Sequence, residues 1–175
     1  SVKDLIKYGE THNFKVNVIP PQDVSSIVVS STKIRNAIKQ SNFKKVNQFL
    51  GRPFELNGKV TKGDGVGRTI KFPTANIEIE EIYKLIPSRG VYLVEVYFEG
   101  NQYSGMMNIG NRPTLNGFNQ TIETHIFDFD ENIYDKSLKV FLLKKIKNEK
   151  KFDSLTTLKK QLIKDEEICK RTLRE

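Results

Sequence analysis

The sequence has no tryptophan, one cysteine, two methionines and two histidines in 175 residues. A lone Cys169 cannot close an internal disulfide, so the fold must rest on its packed core, and a reducing cytoplasm is the expected setting. His12 and His125 are far apart in the chain, so His125 reads as a strand residue rather than a metal ligand. No apolar run approaches membrane-spanning length and no charged-then-apolar leader is present, so no membrane partner is expected. Internal repeats and low-complexity tracts are also missing. The acids of "DFDEN" lack the glycine and terminal glutamate of a calcium loop.

The length suits one compact domain, or one domain with an appended fragment. A net charge of +8 favours anionic partners, among them nucleic acids and phosphorylated small molecules. The lysines, however, are spread through "KQSNFKK", "LLKKIKNEKK" and "LKKQLIK" rather than clustered among aromatics, which fits a solvated surface better than a nucleic-acid footprint.

The chain changes texture near residue 50. Before it, "FKVNVIP" reads as a strand ended by Pro20-Pro21 and "SSIVVSS" as a second extended piece. Ser31 or Thr32 then caps a helix carrying Ile34, Ala37 and Ile38, and Ser41 caps another carrying Phe43, Val46, Phe49 and Leu50 that Gly51 closes. After it come six short runs, "ELNGKVTK", "TANIEIE", "VYLVEVYF", "QYSGMMN", "TIETHIFDF" and "SLKVFLLKK", with "EGN" as a hairpin turn. Their number and spacing predict a mainly β fold, a closed or nearly closed antiparallel barrel. A final helix, capped by Asp153 or Ser154, sets Leu155, Leu158, Leu162, Cys169 and Leu173 at helical spacing for packing on that barrel.

Three stretches can carry chemistry. In "FPTAN", Thr74 and Asn76 share one face of an extended segment, and a hydroxyl beside a carboxamide oxygen makes a partial shell for a hard cation such as Mg²⁺. The same residues also serve an ordinary turn-to-strand junction. In "TKGDGVGR", Gly63, Gly65 and Gly67 let backbone amides approach phosphates, with Lys62 and Arg68 as cations, although a flexible hairpin would look alike. In "IETHIFDFD", alternation sets Glu123, His125, Phe127 and Phe129 on one face; a glutamate held partly out of water there suits general-base work, although taken alone the stretch fits an ordinary exposed strand carboxylate better.

In this order the stretches "GKVTKGDGVGRTIKFPTANI", "GVYLVEV", "MMNIGNRPT", "ETHIFDFD" and "NEKKFDSLTTLKKQLIKD" resemble riboflavin kinase, the kinase module of the bacterial bifunctional riboflavin kinase/FAD synthetase. The resemblance covers residues 51–173. Upstream, "VVSSTKIRNAIKQSNFKKVNQFLGRPFEL" is similar to the end of that enzyme's adenylyltransferase module, which implies a division into a 1–50 remnant and a 51–175 kinase domain. The early paired-histidine motif of that module is absent, so FAD synthesis is not expected.

The resemblance implies a six-stranded Greek-key barrel with a C-terminal helix, and ATP-dependent phosphorylation of the riboflavin 5′-hydroxyl to FMN and ADP. It implies Glu123 as base, Thr74 and Asn76 as Mg²⁺ ligands, and Gly63, Gly67, Arg68 and Lys62 around the nucleotide. Asp153 and Leu155 would touch the flavin. The chain is expected to act as a monomer, without nucleic acid or membrane. Lys71 stands where the family usually has glycine, and Lys147 where arginine is common. Two other readings are a basic barrel that stacks single-stranded nucleic acid on Tyr92, Tyr97 and Phe98, and a flavin carrier without catalysis.

Overall fold

The computed structural model describes residues 1–20, 23–24, 27–114 and 117–174. It divides into two compact units, Ser1–Ser31 and Thr32–Glu175.

The first unit begins with helix α1 (Val2–His12), which the sequence reading missed. Ser1 accepts from the Asp4 backbone N–H while the Asp4 side chain reaches back, a reciprocal cap, and Asn13 in the left-handed region (φ 59) ends the helix. A serine followed three residues later by an acid was the available signal. Residues 14–20 form no strand, contrary to the reading of "FKVNVIP", because alternation yields a strand only where a partner accepts its hydrogen bonds. Strands β1 (Asp23–Val24) and β2 (Ile27–Val28) pair with each other; Pro21, Ser25 and Ser26 of the stretches read as extended lie outside the described residues.

The second unit opens within α2 (Ser31–Lys39), followed by α3 (Phe43–Leu50). Asn42, not Ser41, caps α3, and Gly51 closes it at φ 67. Ser41 takes a positive φ of 55 and turns its hydroxyl inward, 2.8 Å from the Tyr92 hydroxyl and 2.7 Å from Ser88 Oγ. The Lys145 ammonium donates to Ser88 Oγ at 2.8 Å, and burial pulls this lysine below the usual lysine range. That polar knot ties the helical hairpin to the barrel wall.

Six strands follow: β3 (Phe54–Thr61), β4 (Ala75–Glu78), β5 (Gly90–Phe98), β6 (Asn101–Thr114), β7 (Gly117–Ile126) and β8 (Ser137–Lys147). They close in the order β3-β4-β7-β6-β5-β8 with antiparallel neighbours. β5, β6 and β7 run as consecutive hairpins and β8 returns beside β5, a Greek key. The turn between β5 and β6 is Glu99-Gly100, with φ of 47 and 85 as a tight primed turn requires.

Alternation sends Leu56, Val60, Val94, Met107, Val140 and Leu142 inward to a fully buried core. A second cluster lies outside the barrel, where Phe72, Val91, Leu93, Met106 and Phe127 meet Cys169, Leu158 and Leu162 of α5 (Leu155–Thr172). The first half of β5, residues 90–94, is therefore buried on both faces, while Tyr97 further along is exposed. Ser154 is the cap of α5, accepting from Thr157 N at 3.2 Å. Leu155 (52 %) and Leu173 (39 %) stay exposed, because the ends of an 18-residue helix overrun the patch it covers.

Phe129 leaves the face it was assigned. β7 ends at Ile126, Asp128 turns left-handed at φ 54, and Phe129 packs edge-on against Phe98 and Tyr103. Tyr92 and Phe98 are buried, which removes two of the three rings proposed to stack bases.

Cys169 is fully enclosed; burial first, with the carboxylates of Asp165 and Glu166, pushes its thiol up to about 12. Folding thus retains a proton that the unfolded chain releases from about pH 8.5. Stability from this group is intact below that pH and falls by up to ~1.4 kcal/mol per pH unit on the way to the folded value. Urea unfolding compared at pH 8 and pH 10 should show the loss, and iodoacetamide should label Cys169 only as fast as the protein unfolds.

Candidate active site

The short strand β4 sits between β3 and β7. Its register sets Asn76 opposite Thr61 on one side and opposite Glu123 on the other, while Ala75 faces Thr124. Because side chains alternate, Ala75 and Thr124 turn into the core and Thr74, Asn76 and Glu123 to the outer face. There the Thr74 hydroxyl donates to Glu123 Oε2 at 3.2 Å. Asn108 of β6 pairs opposite Glu123 from the far side, so the carboxylate is flanked by two carboxamides.

The glycine stretch folds over this trio. A Cβ on Gly63 would fall onto the Asn76 carboxamide, and one on Gly67 would strike the Phe72 carbonyl, with Thr74 Oγ1 3.4 Å away. Between them Gly65 (φ 70) starts a single helical turn, α4 (Val66–Thr69). The stretch is therefore a fitted loop, not a hairpin. Arg68 lies over the Tyr134 ring at 5.9 Å and donates to its hydroxyl at 3.4 Å. Lys71 holds φ 64, the left-handed region that glycine favours; the chain keeps the conformation that a glycine would adopt without cost.

His125 stands two residues beyond the glutamate on the same face. Its Nδ1 is 2.7 Å from the Pro73 carbonyl, and its ring lies between Phe72 and Phe127. The imidazole thus fixes the turn that presents Thr74. At the end of β8, Lys147 Nζ meets Asp165 Oδ2 at 2.6 Å, and Gln161 donates to the other oxygen of this buried carboxylate at 2.9 Å. Only the carboxylate is fully buried, the ammonium being partly exposed, and the bridge with the Gln161 hydrogen bond links α5 to the end of β8.

These groups line one cavity of about 330 Å³. Gly63, Gly67, Arg68, Thr74, Asn76 and Glu123 all contribute to it. Val91, Met106, Phe152, Leu158 and Leu162 make an apolar wall, and Asn108, Arg112, His125, Lys147 and Asp165 add polar groups. Lys62 and Asp153 are exposed, and neither they nor Leu155 belong to the lining. Sequence reading passed over Asn108, Arg112, Phe152 and Asp165. Asn108 and Arg112 stood in the quoted "MMNIGNRPT", but only strand register shows that Asn108 reaches Glu123. A second cavity of about 500 Å³ opens at the barrel mouth and shares Arg68, Pro73, Thr74 and Tyr134 with the first.

Among the described residues, no cluster of three or more His, Cys, Asp or Glu side chains is placed to hold a metal. The neutral oxygens of Thr74 and Asn76 fit a hard cation that brings further oxygen ligands with it. Gly63 maintains the space in which the Asn76 carboxamide could bind one.

A sequence model of the riboflavin kinase family matches residues 50–173. The bifunctional riboflavin kinase/FMN adenylyltransferase of Haemophilus influenzae is 43% identical over 143 residues, which is 81% of this chain and 46% of that protein. The enzyme of the same description from Escherichia coli K12 is 39% identical over 163 residues, 93% of this chain and 51% of that protein. The chain therefore spans about half the length of these curated relatives. Among solved structures, a macrolide-efflux protein from Streptococcus pneumoniae superposes with a TM-score of 0.83 at 35% identity, covering 97% of this chain and 55% of that one. No helix among the described residues is long and apolar enough to cross a membrane.

Two substitutions test the loop geometry. Gly63→Ala should shift the side-chain amide resonance of Asn76 while the backbone amides of β3 and β5 stay in place; an unmoved Asn76 signal would contradict the packing. Lys71→Gly should relieve about 1 kcal/mol of left-handed strain, partly offset by extra unfolded-chain freedom, leaving a thermal midpoint equal to or slightly above the parent's.

Proposed function

Because the chain belongs to the riboflavin kinase family, we propose that it transfers the terminal phosphoryl group of ATP to the ribityl 5′-hydroxyl of riboflavin, giving FMN and ADP. The observation that carries this reading is the convergence of Thr74, Asn76 and Glu123 on one cavity beneath a glycine loop. Phosphoryl transfer asks little covalent chemistry of a protein; it asks for alignment and for compensation of negative charge.

The chain's own groups suit each part. The Glu123 carboxylate accepts the 5′-hydroxyl proton as that oxygen bonds to the γ-phosphorus; the bond to the ADP oxygen breaks, and the carboxyl group returns the proton to water. Thr74 Oγ1 and the Asn76 carboxamide oxygen would hold a Mg²⁺, which when bound offsets the charge of the phosphate oxygens. Arg68, parked on Tyr134, adds a cation on the nucleotide side, and backbone amides around Gly63 and Gly67 are free to approach phosphate oxygens closely.

The two cavities divide the substrates. The apolar wall between Val91, Met106, Phe152, Leu158 and Leu162 suits a flat tricyclic ring with its ribityl tail pointing to Glu123. The barrel-mouth cavity suits the nucleotide, and Thr74, which borders both, marks the crossing point of the transferred group. Asp153 lies one residue before the cap of α5 and Leu155 begins that helix, so contact with the flavin would come from the rim. Lys62 would act from the exposed outer side of the loop.

Residues 1–50 are read as the end of an adenylyltransferase module, and the enzyme as a cytoplasmic monomer. A carrier without catalysis has no use for a carboxylate bonded to the Thr74 hydroxyl, and the nucleic-acid reading loses Tyr92 and Phe98 to the core.

Glu123→Gln is expected to lower turnover by about 10²- to 10⁴-fold while MgATP still binds. A coupled ADP assay with riboflavin, alongside calorimetric binding of MgATP, separates the two. A parent protein that forms no FMN would overturn the assignment.

A further inference from the structure

The glycine loop that roofs the cavity contains one acid. Within "TKGDGVGR" Asp64 is the only negative side chain, and it lines the flavin-side cavity next to Gly63, where the loop's backbone amides would meet the terminal phosphate. A carboxylate at the lip of an anion site repels the ligand unless it is matched. It is matched here: Arg112 Nη1, on β6, donates to Asp64 Oδ1 at 3.1 Å. Arg112 also lines the cavity, though on β6 it pairs opposite Asn119 rather than Glu123, four residues along the strand from Asn108.

The contact has two consequences. It cancels the loop's one unfavourable charge, leaving Lys62 and Arg68 to set the local sign. It also pins the front of the loop to the β6–β7 hairpin, while Arg68 and Tyr134 pin its back. Gly65, in the left-handed region with open space around it, lies between these two anchor points.

Resting on the kinase reading above, we propose that Arg112 is a positioning residue: through Asp64 it seats and neutralises the glycine loop so that the triphosphate can bind, without touching the transferred group. Both side chains are substantially exposed, Arg112 at 41% and Asp64 at 63%, so the pair is weak and salt-sensitive.

The test is a double-mutant cycle read in KM for MgATP, kcat and riboflavin binding at low and high ionic strength. Arg112→Gln, which leaves Asp64 unmatched, should raise KM for MgATP about two- to fivefold with kcat unchanged and a smaller change in riboflavin affinity. Arg112→Lys should recover most of that loss. Asp64→Asn removes the repelling charge itself, so it should cost less than Arg112→Gln, and the double variant should resemble Asp64→Asn alone. The differences should shrink at 0.5 M salt.

Two results would overturn the proposal: an Arg112→Gln variant indistinguishable from the parent, or one whose kcat falls tenfold or more and is not relieved by Asp64→Asn, which would make Arg112 a direct contact of the reacting phosphate. Thermal melting of each variant separates these from loss of fold. A parent that forms no FMN is a different failure, that of the kinase reading itself.

Discussion

The site depends on the pairing of β4 with β7. Only two residue pairs define it, Ala75 with Thr124 and Asn76 with Glu123, yet that register decides which side chains meet. Strand side chains alternate, so a slip of one residue would bury Asn76 and turn Ala75 to the cavity, and the Thr74–Glu123 hydrogen bond would be lost. Barrel closure enforces the register from both sides, since β4 is also paired to β3 and β7 to β6. A short central strand with no free edge cannot shift without breaking its neighbours' ladders.

Around that pairing the protein builds two environments with different physics. Below it, inside the barrel, lies a hydrophobic core of aliphatic and aromatic side chains. Above it, α5 covers an outer patch of β5, β6 and β8 and leaves a gap between itself and the barrel. The Lys147–Asp165 bridge, with Gln161 on the second oxygen, holds the helix over this gap with a directional contact, while Leu158, Leu162 and Cys169 supply the apolar area. One wall of the cavity is therefore apolar and the other carries oxygens and amides. That asymmetry fits a ligand with a flat ring at one end and a hydroxyl to be activated at the other.

The sequence made the barrel legible because each strand carries its own signal: β-branched and aromatic alternation, bounded by turn residues. The same holds for Gly51 after α3 and Glu99-Gly100 between β5 and β6. What it could not show were features that depend on a partner. "FKVNVIP" alternates but meets no pairing edge. Ser41 looked like a cap and instead turns to the Tyr92 hydroxyl, a choice made by a residue 51 positions away. Phe129 followed the alternation rule until the strand ended. Glu123, Thr74 and Asn76 were each ambiguous alone, and only their register unites them. Lys71 is the reverse case: its departure from glycine was plain in the sequence, and the backbone explains what the position demands.

The central claim is that Thr74, Asn76 and Glu123 act on one phosphoryl group between a flavin tail and a nucleotide. A crystal structure with riboflavin and MgADP tests it most directly. The account predicts the metal on Thr74 Oγ1 and the Asn76 carboxamide oxygen, and the ribityl 5′-oxygen within hydrogen-bonding reach of Glu123. A metal held by other residues, or a ribityl tail ending away from Glu123, would contradict it.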